Sequence, residues 1–277
     1  MMGSMPSPTL ASPSNPRIRS IARLRDRRER EATGSTLVDG AREVRRALES
    51  GVEVVEAFIC EPRLAGEDAR VALDLLRERR LPLTSTSETA FAKIAFGDRA
   101  EGLVAVIRTP SMRLDDLTLP DDALVVAIEN LEKPGNLGAI LRSADGAGAD
   151  AVIAASPRTD LANPNVIRAS SGTFFAVRIA AAPTPDVIDW LRGRHIRTVA
   201  ARVDAERAYT DADLTGPLAI ALGSEAEGLS ATWQGTDVEP VRLPMHGVAD
   251  SLNVSVAAAI LLYEARRQRD RPIRTPD

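Results

Sequence analysis

The chain has 277 residues, enough for about two domains of ordinary size, and 44% of them are hydrophobic, far above the disordered range. One cysteine, Cys60, and two histidines, His195 and His246, exclude a disulfide framework, a thiolate cluster and a histidine-rich metal site, so no metal is expected. The net charge of −4 divides unevenly, with 18 Lys/Arg against 16 Asp/Glu in residues 1–110 and 17 against 23 in residues 111–277.

The opening MMGSMPSPTLASPSNP has no apolar core segment and is no signal peptide, so residues 1–16 read as a disordered leader. No apolar run approaches the roughly 18 residues that span a bilayer, which makes a cytoplasmic protein without a membrane partner the economical expectation. Residues 17–31 look helical. Arg17, Arg19, Arg23, Arg25, Arg27, Arg28 and Arg30 stand there against only Asp26 and Glu29, a candidate RNA-contacting arm. A solvated helix face is an equal reading in a chain with 33 Arg and 2 Lys.

Strands follow at 36–38, 52–59, 81–84 and 102–107, with helices at 41–50, 68–80 and 88–94 between them. Residues 17–108 thus form a small α/β domain, and 109–122, with Pro110 and Pro120, read as a linker. Beyond it strand and helix alternate strictly. Strands are expected at 123–128 (ALVVAI), 151–154, 174–179, 196–201, 218–222 (LAIAL) and 238–243, and helices at 137–147, 164–171, 185–194, 229–233 and 251–269. Strands apolar on both faces belong in a parallel sheet covered by helices, so residues 123–270 should form an α/β domain.

Three segments carry more polar detail than packing needs, and all follow strands. In open α/β sheets ligands bind beyond the carboxyl ends of strands. The first runs from Glu129 through Asn130 and Pro134-Gly135-Asn136 to Arg142, where Asn136 is placed to cap the next helix and Arg142 lies almost two turns on. An ordinary βα turn with a surface arginine explains it as well. The second is Gly223-Ser224-Glu225-Ala226-Glu227-Gly228-Leu229, neither a Walker loop nor a GxGxxG fingerprint, and by itself it also reads as a glycine-rich turn. In the third, Leu243-Pro244-Met245 precedes Ser251-Leu252-Asn253-Val254-Ser255, polar and apolar residues interleaved on a helix expected to be buried. Buried polar groups need partners, so a site is favoured there over a simple cap.

NLGAILR, ALGSEAEGLS and LPM…SLNVSVAAAILLYE, in this order and spacing, resemble the three motifs of the SpoU (TrmH-like) RNA 2′-O-ribose methyltransferases of the SPOUT superfamily, over residues 121–270. The upstream part resembles, more loosely, the small RNA-binding domain that many of these enzymes carry. The resemblance implies a parallel α/β sheet with a C-terminal trefoil knot, an S-adenosylmethionine cofactor and a homodimer. It implies that Gly223, Ser224, Glu225, Leu243, Pro244, Met245, Leu252, Asn253, Val254 and Ser255 surround the cofactor, with Arg168 from NPNVIRASSGTFF near it. Arg142, Asn136, Glu225, Ser251 and Asn253 would serve the reaction. The substrate it implies is RNA, most directly 23S ribosomal RNA, and the layout of the amino-terminal part is similar to the thiostrepton-resistance branch. A tRNA 2′-O-methyltransferase and a catalytically silent RNA-binding protein of the same fold are the alternatives, and both resistance and housekeeping roles stay open. A small-molecule α/β enzyme fits less well, for want of a nucleophile–base pair or a phosphate loop.

Overall fold

The computed structural model describes residues 10–96, 101–224, 227–235 and 237–270, and Leu10 is already hydrogen-bonded. The Leu10 amide donates to the Ser85 carbonyl (2.8 Å) and the Leu10 carbonyl accepts from the Ser87 amide (3.1 Å). Asn15 then caps helix α1 (Pro16–Arg23) by accepting from the Arg17 amide. The expected leader is therefore structured from Leu10 onward, while its residues 1–9 lie outside the described residues. The single helix expected over 17–31 is two, α1 and α2 (Arg27–Thr33). Asp26 takes extended angles (φ −83°, ψ 133°) and its side chain accepts from the Arg28 amide, which restarts the helix.

The amino-terminal unit continues with β1 (Ser35–Asp39), α3 (Ala41–Glu49), β2 (Val54–Ile59), α4 (Gly66–Glu78), β3 (Leu83–Ser85), α5 (Glu88–Ile94) and β4 (Leu103–Arg108). Its sheet has the order β1-β4-β2-β3, antiparallel except for the β2–β3 pair. Ile18, Ile21 and Leu24 pack into one core with Leu37, Phe58, Phe91 and Ile94, which is why α1 has apolar residues three apart.

The second unit comprises Ser111–Thr159 and Val177–Asp277. Its strands are β5 (Leu124–Glu129), β6 (Ala151–Ala155), β7 (Arg178–Ala182), β8 (Arg197–Ala201), β9 (Leu218–Leu222) and β10 (Val238–Val241), all parallel in the order β10-β8-β9-β5-β6-β7. Helices α6 (Pro134–Ala147), α8 (Thr184–Gly193) and α9 (Val254–Arg269) cover it, α7 (Pro164–Ala169) being part of the other unit. Val125 and Ala127 share a core with Val187, Ile188 and Leu191 of α8. Side chains alternate along a strand, so Leu124, Val126 and Ile128, fully buried too, face the layer made by α6 and α9.

The boundary expected at 109–122 is crossed again by Asp160–Ala176, which packs with the amino-terminal unit although the sequence places it inside the second domain. Three polar ties hold it there. The Thr36 hydroxyl donates to the Ala162 carbonyl, Arg30 Nε donates to Asp160 Oδ2 (2.9 Å), and Arg46 Nη1 donates to the Ser171 carbonyl (2.8 Å). The strand expected over 174–179 consequently starts only at Arg178, because Thr173–Phe175 forms a 3-10 turn whose Phe174 amide bonds the Ser170 hydroxyl.

Asp39, buried at the end of β1, accepts from the Phe96 amide (2.7 Å) and pairs with Arg168 (3.1 Å). Burial pushes its carboxyl up to about 6 in spite of that arginine. The folded unit thus holds a proton that the unfolded chain releases near 4, so the stability it contributes is full below that pH and is lost as the pH rises through about 6. Thermal unfolding of the wild type should weaken from pH 4 to 6.5 relative to Asp39→Asn by about 2–3 kcal/mol. Parallel curves for the two proteins would contradict this.

Candidate active site

The carboxyl ends of β8, β9 and β10 open into one cavity of about 500 Å³, inside the roughly 300–1,000 Å³ usual for small-molecule sites. The place follows the rule for parallel sheets, in which ligands bind beyond the carboxyl ends of the strands: after β7 the chain crosses to the other side of β9 and β5, so that β10, β8 and β9 end side by side. Leu222, Leu252 and Val254 supply apolar wall, Leu243-Pro244-Met245 a stretch of chain outside helix and strand, and Arg202, Arg242, Glu227 and Asp250 charges of both signs. Arg202 is held bidentate by Asp204 (2.9 and 3.0 Å), which keeps the Asp204 carboxyl below its ordinary range.

Gly223 leaves β9 beneath the returning chain. A Cβ built there would lie 1.9 Å from the Gly228 carbonyl carbon and 2.2 Å from the Leu229 nitrogen. The Gly228 amide donates back to the Ser224 carbonyl (3.0 Å), so the loop closes on itself and presents backbone to the cavity. Arg158 spans from Glu132 (2.6 Å) to Glu227 (3.0 Å) on the surface beside it.

The third motif begins one turn later than expected. Helix α9 starts at Val254, not Ser251, and Asn253 caps it: Oδ1 accepts from the Ser255 amide (2.9 Å) and hydroxyl (2.7 Å). Those bonds orient the Asn253 amide, whose Nδ2 donates to Asn136 Oδ1 at 3.3 Å. Asn136 is inside the first turn of α6, after Lys133 at the cap position, and so does not cap that helix itself. Ser251 and Asn253 are exposed rather than buried. Arg142 is also on α6, exposed and without a hydrogen bond or ion pair to the described residues.

Of the residues expected around the cofactor, Gly223, Ser224, Leu243, Pro244, Met245, Leu252 and Val254 line the cavity together with Ser251, whereas Asn253 and Ser255 are not in its lining and make the cap of α9. Glu225 lies outside the described residues. Arg168 is not among the cavity-lining residues: it falls in the amino-terminal unit, where it pairs with Asp39 and donates to the Phe96 carbonyl. Four of the expected RNA arginines are drawn into contacts. Arg30 is buried and donates to the carbonyls of Leu24 (2.8 Å) and Arg25 (2.7 Å) besides Asp160, so it faces no RNA. Arg17 pairs with Glu56, Arg25 donates to the Ala95 carbonyl over the Phe96 ring, and Arg27 pairs with Glu31. Arg17, Arg25 and Arg27 stay exposed beside these contacts, while the side chains of Arg19, Arg23 and Arg28 are exposed and make none with the described residues. Sequence reasoning missed Ala201, Arg202 and Val203. Their one signal is position, immediately after a buried strand, the rule that drew attention to the three motifs.

The walls suit S-adenosylmethionine by their chemistry. Apolar side chains and bare backbone suit an adenine, while carboxylates and guanidinium groups in one cavity suit a molecule carrying an ammonium, a sulfonium and a carboxylate. Comparison with known proteins agrees. Residues 123–263 match the SpoU rRNA Methylase family, and residues 15–105 match the MRM3-like substrate binding domain. The chain is 34% identical to the 23S rRNA (uridine(2479)-2'-O)-methyltransferase of Streptomyces viridochromogenes, over 90% of this chain and 88% of that one. It is 28% identical to the 23S rRNA (guanosine(2553)-2'-O)-methyltransferase RlmP of Bacillus subtilis, over 93% and 98%. The crystal structure of the SpoU methyltransferase AviRb from Streptomyces viridochromogenes with AdoMet superposes with a TM-score of 0.83 at 32% identity, covering 92% of this chain and 98% of that one.

Proposed function

We propose, for a chain that belongs to the SpoU rRNA methylase family, transfer of a methyl group from S-adenosylmethionine to a ribose 2′-hydroxyl of 23S ribosomal RNA. The observation that carries this reading is the convergence of the second and third motifs on one cavity, tied to the first by the Asn253–Asn136 bond. Bound there, S-adenosylmethionine supplies an electrophilic methyl. Gly223, Ser224 and the Leu243-Pro244-Met245 stretch hold it, and the asparagine pair fixes α6 beside it. Arg142 stabilises the charge that develops on the 2′-oxygen as its proton departs to water or a phosphate oxygen. A free guanidinium does not itself deprotonate near neutrality, so Arg142 serves as donor rather than base. Glu225, outside the described residues, keeps in this reading the role the resemblance gives it, orienting a water.

The ribosomal substrate is supported by the names of the relatives, which act on 23S rRNA, and by the match of the amino-terminal unit to a substrate-binding domain. The family's homodimer and its C-terminal knot belong to the same proposal. Val256 and Tyr263, 46% and 54% exposed and seven residues apart on α9, give the dimer an apolar stripe. Among the described residues no helix is long and apolar enough to cross a membrane, and a cytoplasmic location is part of the same proposal, supported by the ribosomal RNA named for the relatives.

Labelled methyl transfer from S-adenosylmethionine to separated rRNA and tRNA tests the proposal. Incorporation into 23S rRNA as an alkali-resistant dinucleotide is expected. Cofactor binding without transfer to any RNA would favour the silent RNA-binding reading instead.

Contact by the amino-terminal arm narrows to Arg19, Arg23 and Arg28. Deleting residues 1–30 is no test of it, because Ile18, Ile21 and Leu24 are core. Replacing the three arginines with alanine should weaken RNA binding and reduce the salt dependence by up to about three phosphate contacts. S-adenosylmethionine affinity should stay unchanged, and an unaltered salt slope would remove the arm from the interface.

A further inference from the structure

Glu129 is the last residue of β5 and is 2% exposed, yet no cation among the described residues pairs with it. Its charge is compensated by donors alone. Oε2 accepts from the Ser230 amide (2.7 Å), and Oε1 accepts from the hydroxyls of Ser230 (2.8 Å) and Thr184 (3.0 Å). Thr184 starts α8 and is in turn bonded through its amide to the Ser156 hydroxyl (2.9 Å) just past β6. A buried carboxylate is costly unless its oxygens are satisfied, so this arrangement locks three neighbouring strand ends at one point.

Ser230 closes the loop that begins at Gly223. One end of that loop is fixed because it continues β9; the other is fixed at Glu129. Between them Gly223, Ser224, Glu227 and Gly228 form a wall of the cavity, which Glu129 itself does not line. We infer that Glu129 is a positioning residue for the cofactor site, setting the height of this wall through Ser230 without touching the bound molecule. The inference rests on the reading of the cavity as the S-adenosylmethionine site.

The contacts also say which substitution the loop tolerates. The Ser230 amide can only donate, whereas both hydroxyls can turn to accept. In Glu129→Gln the amide oxygen can take the place of Oε2 and its NH₂ can face the hydroxyls, so the anchor survives without charge. Glu129→Ala leaves the Ser230 amide unpaired and frees the loop end.

The experiment is calorimetric titration of the full-length chain with S-adenosylmethionine, together with thermal melts and steady-state kinetics on rRNA. Glu129→Ala should raise Kd and the KM for S-adenosylmethionine by roughly tenfold or more. Its kcat at saturating cofactor and its KM for RNA should stay within about twofold to threefold, and Glu129→Gln should bind nearly as well as wild type. If Glu129→Ala does not fold, Glu129→Asp, one methylene too short to reach Ser230, carries the same expectation. Folded Glu129→Ala with unchanged cofactor affinity overturns the inference. So does a parallel loss of kcat and RNA affinity, or a Glu129→Gln as impaired as the alanine variant. Wild type that failed to bind S-adenosylmethionine would instead remove the cofactor reading, and this inference with it.

Discussion

Gly223→Ala should raise the Kd for S-adenosylmethionine about a hundredfold or more, measured by calorimetry on folded protein. The obstacle at this position is backbone. A Cβ would meet the carbonyl carbon, carbonyl oxygen and next nitrogen of the Gly228–Leu229 peptide at 1.9, 2.1 and 2.2 Å. No side-chain rotation relieves such an overlap, so the returning strand of the loop must move by more than an ångström. Movement there withdraws Gly228 from the cavity, breaks its bond to the Ser224 carbonyl and pulls on the Ser230–Glu129 anchor. Gly228→Ala is the instructive control. Its φ of +66° disfavours alanine, but an added Cβ meets nothing within 4 Å, so the cost is local strain of about 1 kcal/mol and a Kd change near tenfold or less. Equal effects of the two substitutions would mean that the loop tolerates displacement and that the wall is not what binds.

The pair shows what a sequence discloses and what it leaves hidden. Two glycines around a carboxylate after an apolar strand were visible, and so was their place at a strand end. That one glycine is demanded by a crossing backbone and the other by its own φ follows only from the closed loop. The strand LAIAL (218–222) was legible to the residue because apolar character on both faces has no other use in a doubly covered sheet. The third motif was placed on a helix that starts one turn too early, since its polar residues fit a buried helix as well as an extended approach followed by an asparagine cap.

The partners of Arg168 and Arg30 stay hidden in the sequence for a different reason. A side chain's partners there lie more than a hundred positions away, Asp39 for Arg168 and Asp160 for Arg30, and local pattern carries no information about them. The same holds for Asp160–Ala176, whose helix-and-turn composition suits either unit equally. Ends of strands, by contrast, were informative about the site because the topology of a parallel sheet fixes what they face.

Arg142→Ala should lower kcat by about 10²–10³ while leaving S-adenosylmethionine affinity unchanged, the loss typical of removing one donor from a developing oxyanion. Arg142 is exposed on α6 and is absent from the cavity lining, so nothing in cofactor binding depends on it. It is also uncommitted: no carboxylate or carbonyl among the described residues engages its guanidinium, in contrast to Arg30, Arg168 and Arg202, each held by an aspartate. An exposed, uncommitted guanidinium on the helix that Asn253 tethers to the cavity mouth can meet an incoming ribose without first breaking a bond. Lysine at this position retains the charge but presents a compact point donor rather than a planar fork, so Arg142→Lys should recover less than about a tenth of the lost rate if two groups, such as the 2′-oxygen and a neighbouring phosphate, are engaged together. Near-full activity of the lysine variant would show that charge alone suffices and that the fork has no part. A rise in the Kd for S-adenosylmethionine would instead move Arg142 from the reacting hydroxyl to the cofactor.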